Sequence, residues 1–309
     1  MAVNSQVGST ALPRTRSKAK NRNKEFMRGV KLLLASKTGT CGFIITTFVI
    51  LTAIFAQQLA PYDPNEQNYT SMNTPPMWLE GGSSSHILGT DNLGRDIISR
   101  VIYGSQVSLI VGLVAVIIAG AIGLWLGLIA GYFGGWIDNM IMRLVDAFLA
   151  IPNILFLLVI LGVIGPGLST IIIVIGLTAW VSYARLVRSE VLTIKEREFV
   201  KAARTIGTSD FTIIRQHILP NVFSSFIVIT TLSVASIIIL EASLSYLGLG
   251  IQPPAVSWGG MLTAGRDYLA TSWWIATFPG LAITITVLGI IFLGDWLRDV
   301  LDPRTSNRK

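Results

Sequence analysis

EFVKAARTIGTSDFTIIRQHILP, residues 198–220, is a charged island between two long apolar runs. A chain that only crosses a membrane needs short polar turns between its helices, but this stretch carries a helical pattern of its own. Phe199, Ala202, Ala203 and Ile206 fall at i, i+3, i+4 and i+7, one face of a helix, and Glu198, Lys201, Arg204 and Thr205 take the remainder. Gly207 stops that helix, because glycine tolerates the left-handed dihedrals that follow a helix C-terminus. Thr208, Ser209 and Asp210 offer caps for a second short helix, which Leu219-Pro220 is expected to end. The island has the form of a docking element for a soluble partner.

Composition sets the class of the flanking runs. Hydrophobic residues make up 51% of the 309-residue chain, charged residues 13%, and the mean hydropathy is +0.62, too apolar for a soluble protein of this size. A membrane span needs about 20 apolar residues. Candidate spans lie near 42–59, 107–132, 148–163, 170–187, 222–240 and 274–293. The expectation is an all-α polytopic membrane protein of about six transmembrane helices. The third candidate is interrupted at its start by Pro152 and separated from the fourth by Gly165-Pro166-Gly167 alone. The expected organisation is a basic tail over 1–41, a first helix over 42–60, an outer loop over 61–106, a five-helix core over 107–295 that includes the 188–221 loop, and a tail over 296–309.

Charge placement orients the chain. Of 24 Lys and Arg residues, nine precede residue 41, seven lie within 185–220, four follow residue 297, and Arg143 joins them, 21 on one face. Only Arg95, Arg100 and Arg266 are left for the other. The positive-inside rule then places both termini and the 198–220 island in the cytoplasm. The net charge of +7 therefore speaks for topology beside anionic lipid, not for nucleic acid. Cys41 is the single cysteine, which excludes a disulfide framework and a cysteine metal site. No G-x-x-x-x-G-K-[ST] loop is present, so energy must come from a partner or an ion gradient. His86 and His217 fall on opposite sides of the membrane, and no catalytic constellation forms.

The outer segment carries a second pattern: His86-x-Leu88-Gly89-Thr90-Asp91-x-x-Gly94-Arg95-Asp96-x-x-Ser99-Arg100. Turn formers alternate with fixed charges before a helix enters the second span. Thr90 or Asp91 could cap it, and Asp96 with Arg100 forms an i, i+4 pair. A metal or acid/base cluster of His86, Asp91 and Asp96 fits less well than a salt-bridged turn, since two arginines stand beside the acids. Glu241 is a carboxylate at the outer end of a span, where charge is costly. It either lines a substrate path or gate, or snorkels to the interface and caps a following helix. The glycines of the second span (Gly112, Gly120, Gly123, Gly127, Gly131) suit close helix packing, and Trp273-Trp274 suits an interfacial anchor.

These motifs carry a resemblance. Ala202-Ala203, Gly207 and Leu219-Pro220 are spaced as in the EAA loop of permease subunits of bacterial ABC importers, although Lys201 and His217 depart from that motif. The 86–100 string resembles the dipeptide, oligopeptide and nickel subfamily of those permeases. So do Ala60-Pro61-Tyr62-Asp63-Pro64, the block from Glu241 through Pro254 to Gly259, and the block Leu293-Gly294-Asp295-x-Leu297-Arg298-Asp299-x-Leu301-Asp302-Pro303-Arg304. The resemblance implies a type I ABC importer permease fold in the bacterial cytoplasmic (inner) membrane. It implies a coupling loop in which Glu198, Phe199, Ala202, Ala203, Arg204, Ile206, Gly207, Leu219 and Pro220 meet an ATPase. It implies an outer signature or gate built from Gly89, Thr90, Asp91, Gly94, Arg95, Asp96, Arg100 and Glu241. The implied partners are a homologous second permease, two ABC ATPases and an external substrate-binding protein. ATP and Mg would be bound by the ATPases, with no cofactor on this chain. The implied cargo is a di- or oligopeptide, with nickel, glutathione or another small solute as alternatives. An ion-coupled secondary transporter is a further alternative, which the acids at span ends and the lack of obvious duplication disfavour.

Overall fold

The computed structural model describes residues 32–301, and these residues form helices and connecting turns with no strand among them. The basic run up to Lys31 and the Asp302-Pro303-Arg304 end of the C-terminal block lie outside the described residues. The long helices are α1 (Lys37–Ile54), α2 (Ile97–Phe133), α5 (Leu168–Lys195), α7 (Asp210–Leu249) and α9 (Trp274–Leu301), all long and apolar enough to cross a membrane. Between α2 and α5 lie α3 (Gly135–Leu149) and α4 (Asn153–Ile164), bent 82° at their break, which together amount to a sixth span. Two short helices complete the set, α6 (Glu198–Thr205) and α8 (Trp258–Gly265).

The third span is thus a broken pair, where the sequence suggested one helix over 148–163. Pro152 takes an extended ψ of 121° and starts α4, since a proline ring cannot continue the helix before it. The 133–147 stretch, expected as a loop, is α3. A second departure concerns Leu219-Pro220, which does not end a helix. Ile214–Ile218 forms one wide turn in which the Leu219 N–H reaches the Ile214 carbonyl, five residues back. The ladder is re-routed just ahead of the proline, and α7 continues. Boundaries differ too: α2 begins at Ile97, inside the expected outer loop, and α9 runs past 296 into the expected tail.

The core is the seam between α2 and α5. Gly123, Gly127 and Gly131 form a row on α2 against Trp180, Ala184, Val187 and Val191 of α5. A Cβ on Gly127 would stand 2.7 Å from the Ala184 carbonyl oxygen, and one on Gly131 would stand 2.7 Å from Val191 Cβ. Within lipid, helix association rests on such close van der Waals contact, since tails and side chains are equally apolar. The partners rise together along both helices, so α2 and α5 run parallel. The bent pair makes this possible by returning the chain to the end where α2 began. Arg188 of α5 holds α3 with a two-pronged pair to Asp138, at 2.5 and 2.6 Å.

Candidate functional site

One end of the bundle is capped by residues 61–96, and the signature residues build that cap as a buried knot. Asp91 accepts the Leu93 and Arg95 backbone N–H groups at 2.9 and 3.0 Å and the Arg95 Nε at 2.7 Å. Arg100 reaches the same carboxylate at 3.6 Å and donates to the Pro64 carbonyl at 2.9 Å. Asp96, not Thr90 or Asp91, caps α2, accepting the Ser99 N–H at 2.8 Å. Its other oxygen stands 3.0 Å from His86 Nδ1, so the expected Asp96–Arg100 pair gives way to Asp91–Arg100. Gly94 lies against the Asn68 backbone and Gly89 against Thr74, where no side chain fits. The Thr90 carbonyl receives the Trp274 indole N–H at 3.0 Å, so Trp274 is locked under the cap and only Trp273 is half-exposed. Among the described residues no group of three His, Cys, Asp or Glu side chains is placed to hold a metal.

Glu241 neither snorkels nor caps. It is fully buried near the end of α7, and its Oε1 accepts from Ser245 at 2.8 Å and Ser257 at 3.0 Å. Ser257 also caps α8 by accepting the Gly260 N–H at 3.1 Å. The carboxylate therefore fastens α8 to α7, since removing it would leave two buried hydroxyls short of an acceptor.

At the opposite end, α6 projects as an elbow. Its close has the full set of bonds for a glycine stop: Gly207 at φ 81° donates to the Arg204 carbonyl, and Thr208 to the Ala203 carbonyl, both at 3.1 Å. The expected apolar face divides in two. Ala203 turns inward, 7% exposed, with Val200 into a cluster of Val187, Val191, Ile194, Ile213, Ile218 and Val222. Phe199 (40% exposed) and Ile206 (82%) face out, joined by Phe211 (68%) from α7. Glu198 and Ala202 are exposed beside them, and Leu219 and Pro220 stand at the root of the elbow, in α7. Arg204 lies with its guanidinium carbon 5.6 Å from the centre of the Tyr132 ring. Val200, Phe211 and Tyr132 escaped the sequence reading. The i, i+3 spacing of Val200 to Ala203 was the available signal for the inward face, and nothing local marks Tyr132 as more than the end of a span.

The family described as binding-protein-dependent transport system inner membrane component matches residues 123–307, and the N-terminal TM domain of oligopeptide transport permease C matches 27–76. The chain is 43% identical over 266 residues to the di/tripeptide transport system permease protein DppC of Pseudomonas aeruginosa, covering 86% of this chain and 88% of that protein. It is 40% identical over 263 residues to the dipeptide permease DppC of Haemophilus influenzae, covering 85% and 89%. It is 45% identical over 262 residues to the glutathione permease GsiD of Escherichia coli O157:H7, covering 84% of each. In fold it is similar to a chain of the inward-facing MetNI methionine ABC transporter, with TM-score 0.56 and 21% identity over 67% of this chain and 98% of that one. The chain therefore belongs to the binding-protein-dependent transport system inner membrane components, a family of ABC importer permeases and not of enzymes.

Proposed function

We propose that this chain forms half of the path by which di- or oligopeptides enter a bacterium across its cytoplasmic membrane, with both termini inside. Family membership implies an ATPase and other transporter subunits as partners. The fuller assembly in this reading is a second, homologous permease, two ATPases and an external binding protein. The ATPases bind and hydrolyse ATP with Mg. One observation carries the docking assignment: Phe199, Ile206 and Phe211 are apolar and exposed on an elbow whose other face, Val200 and Ala203, is fixed to the bundle. An exposed apolar patch on a rigid support is suited to a partner's cleft. Closure of the ATPases then moves the elbow, and the bundle moves between inward- and outward-open states.

The peptide assignment rests on the similarity to the DppC proteins. Glutathione, itself a tripeptide, is the second reading, favoured by the GsiD relatives. Purification of tagged wild type and Ile206→Asp from native membrane tests the docking. Wild type should bring down an ATPase and a second permease, and Ile206→Asp should lose the ATPase alone. A wild type that retains its permease partner but no ATPase would favour an ion-coupled carrier.

A further inference from the structure

The docking elbow must pass its movement to the membrane helices, and one side chain touches every element that would have to move. Tyr132 is the penultimate residue of α2 and 6% exposed. Its ring lies in the cluster that holds Val200 and Ala203 of the elbow, with the Arg204 guanidinium of the same helix 5.6 Å from its centre. Its hydroxyl donates to Asp210 Oδ1 at 2.5 Å, and Asp210 is the first residue of α7. The carboxylate sits at a helix N-terminus, where the unsatisfied N–H groups favour negative charge and hold it in place. A core aromatic whose task is to fill space needs no hydroxyl. This one joins three helices through one ring and one charge-assisted hydrogen bond.

The two chain links beside the elbow are short, Glu196-Arg197 on one side and Ile206 to Ser209 on the other. The Lys201–Glu196 pair at 3.3 Å, with both side chains more than half exposed, adds little stiffness. We propose that Tyr132 is a positioning residue for transport: it is the joint through which elbow movement is delivered to α2 and α7 together. The proposal rests on the docking reading above. Without the hydroxyl the elbow still docks and the ATPase still turns over, but its displacement is absorbed at the root of α7 and less cargo moves for each ATP.

The test uses the whole transporter, purified on a tag on this chain and reconstituted with its binding protein, with labelled dipeptides as probe. The readout is dipeptide moved per ATP hydrolysed. Tyr132→Phe keeps the ring and should keep the ATPase, while the ratio falls about tenfold, the size expected for one lost hydrogen bond to a charged group. Asp210→Ala should match it, Asp210→Asn, which retains the Oδ1 acceptor, should stay near wild type, and the Tyr132→Phe/Asp210→Ala double variant should be no worse than either single. Unchanged ratios in both single variants, or losses that multiply in the double, overturn the joint. Loss of the ATPase from Tyr132→Phe would make Tyr132 a support of the elbow and also overturn it. A wild-type complex with no ATPase overturns the docking reading, and one with an ATPase that moves no dipeptide overturns the cargo reading; either takes the joint as stated with it.

Discussion

The Lys195 ammonium of α5 donates to the Gly131 carbonyl of α2 at 2.9 Å, so the last turn of one helix closes the last turn of its parallel neighbour. The four final carbonyls of a helix lack partners within it and carry partial negative charge. A lysine from α5 supplies both the donor and the countercharge. Replacing Lys195 with Met is expected to lower stability by about 1 kcal/mol. A drop in the thermal midpoint of the detergent-solubilised protein, with uptake retained, is the outcome to look for.

The glycine seam should be intolerant of size. Gly127→Leu has to displace the Ala184 carbonyl and Val187 together, and neither is the free end of a flexible side chain. Overpacking of this kind costs about 1–3 kcal/mol or more. Little monodisperse protein should survive size-exclusion chromatography. Gly162→Leu, at a position with open space around it, serves as the tolerated control.

Ala203→Asp and Ile206→Asp separate the two faces of the elbow. Aspartate at the buried position places an unpaired charge among Val191, Ile213 and Ile218, which costs several kcal/mol. Ala203→Asp should therefore reduce the amount of folded protein in the membrane, as seen by immunoblot. Ile206→Asp should not, because that side chain already faces out.

The cap knot should respond sharply to loss of its central acid. Asp91→Ala removes the acceptor shared by two backbone N–H groups and both arginines, at roughly 3 kcal/mol or more. Residues 61–96 should then become sensitive to added protease in spheroplasts, while the wild type stays intact.

Glu241→Gln should be nearly neutral and Glu241→Ala should not. Both hydroxyls bond to Oε1, which glutamine retains, and Oε2 has no hydrogen-bond partner to lose. Alanine strands Ser245 and Ser257 and empties the space between α7 and α8. Thermal midpoints of the two variants should differ by several degrees in favour of glutamine.

Much of this was legible in the chain itself. Long apolar runs mark the spans, Gly207 marks the elbow's close, and the crowding of Asp91, Asp96 and two arginines marks a salt-bridged turn. Periodicity failed where one helix serves two surfaces. Phe199, Ala202, Ala203 and Ile206 satisfy one stripe on a wheel, yet the helix is too short and too exposed to bury all four. Pro152 and Pro220 show why a breaker is ambiguous without its neighbours: the first bends its segment 82°, the second is absorbed by a wide turn. The partners of Arg100 and Glu241 come from the Asp91 turn and from Ser257, and no local spacing announces which acid or hydroxyl a folded chain will bring near.

The wide turn over Ile214–Ile218 also sets a rotational offset. A turn closed five residues back holds one residue more than an ordinary one, so all that precedes it is rotated by about 100° relative to a helix wound without it. Phe211 owes its outward direction and Asp210 its meeting with Tyr132 to that single surplus residue. Deleting one residue between 214 and 218 would let the helix wind straight through and would swing both side chains round the axis, dismantling the elbow while leaving every span its length.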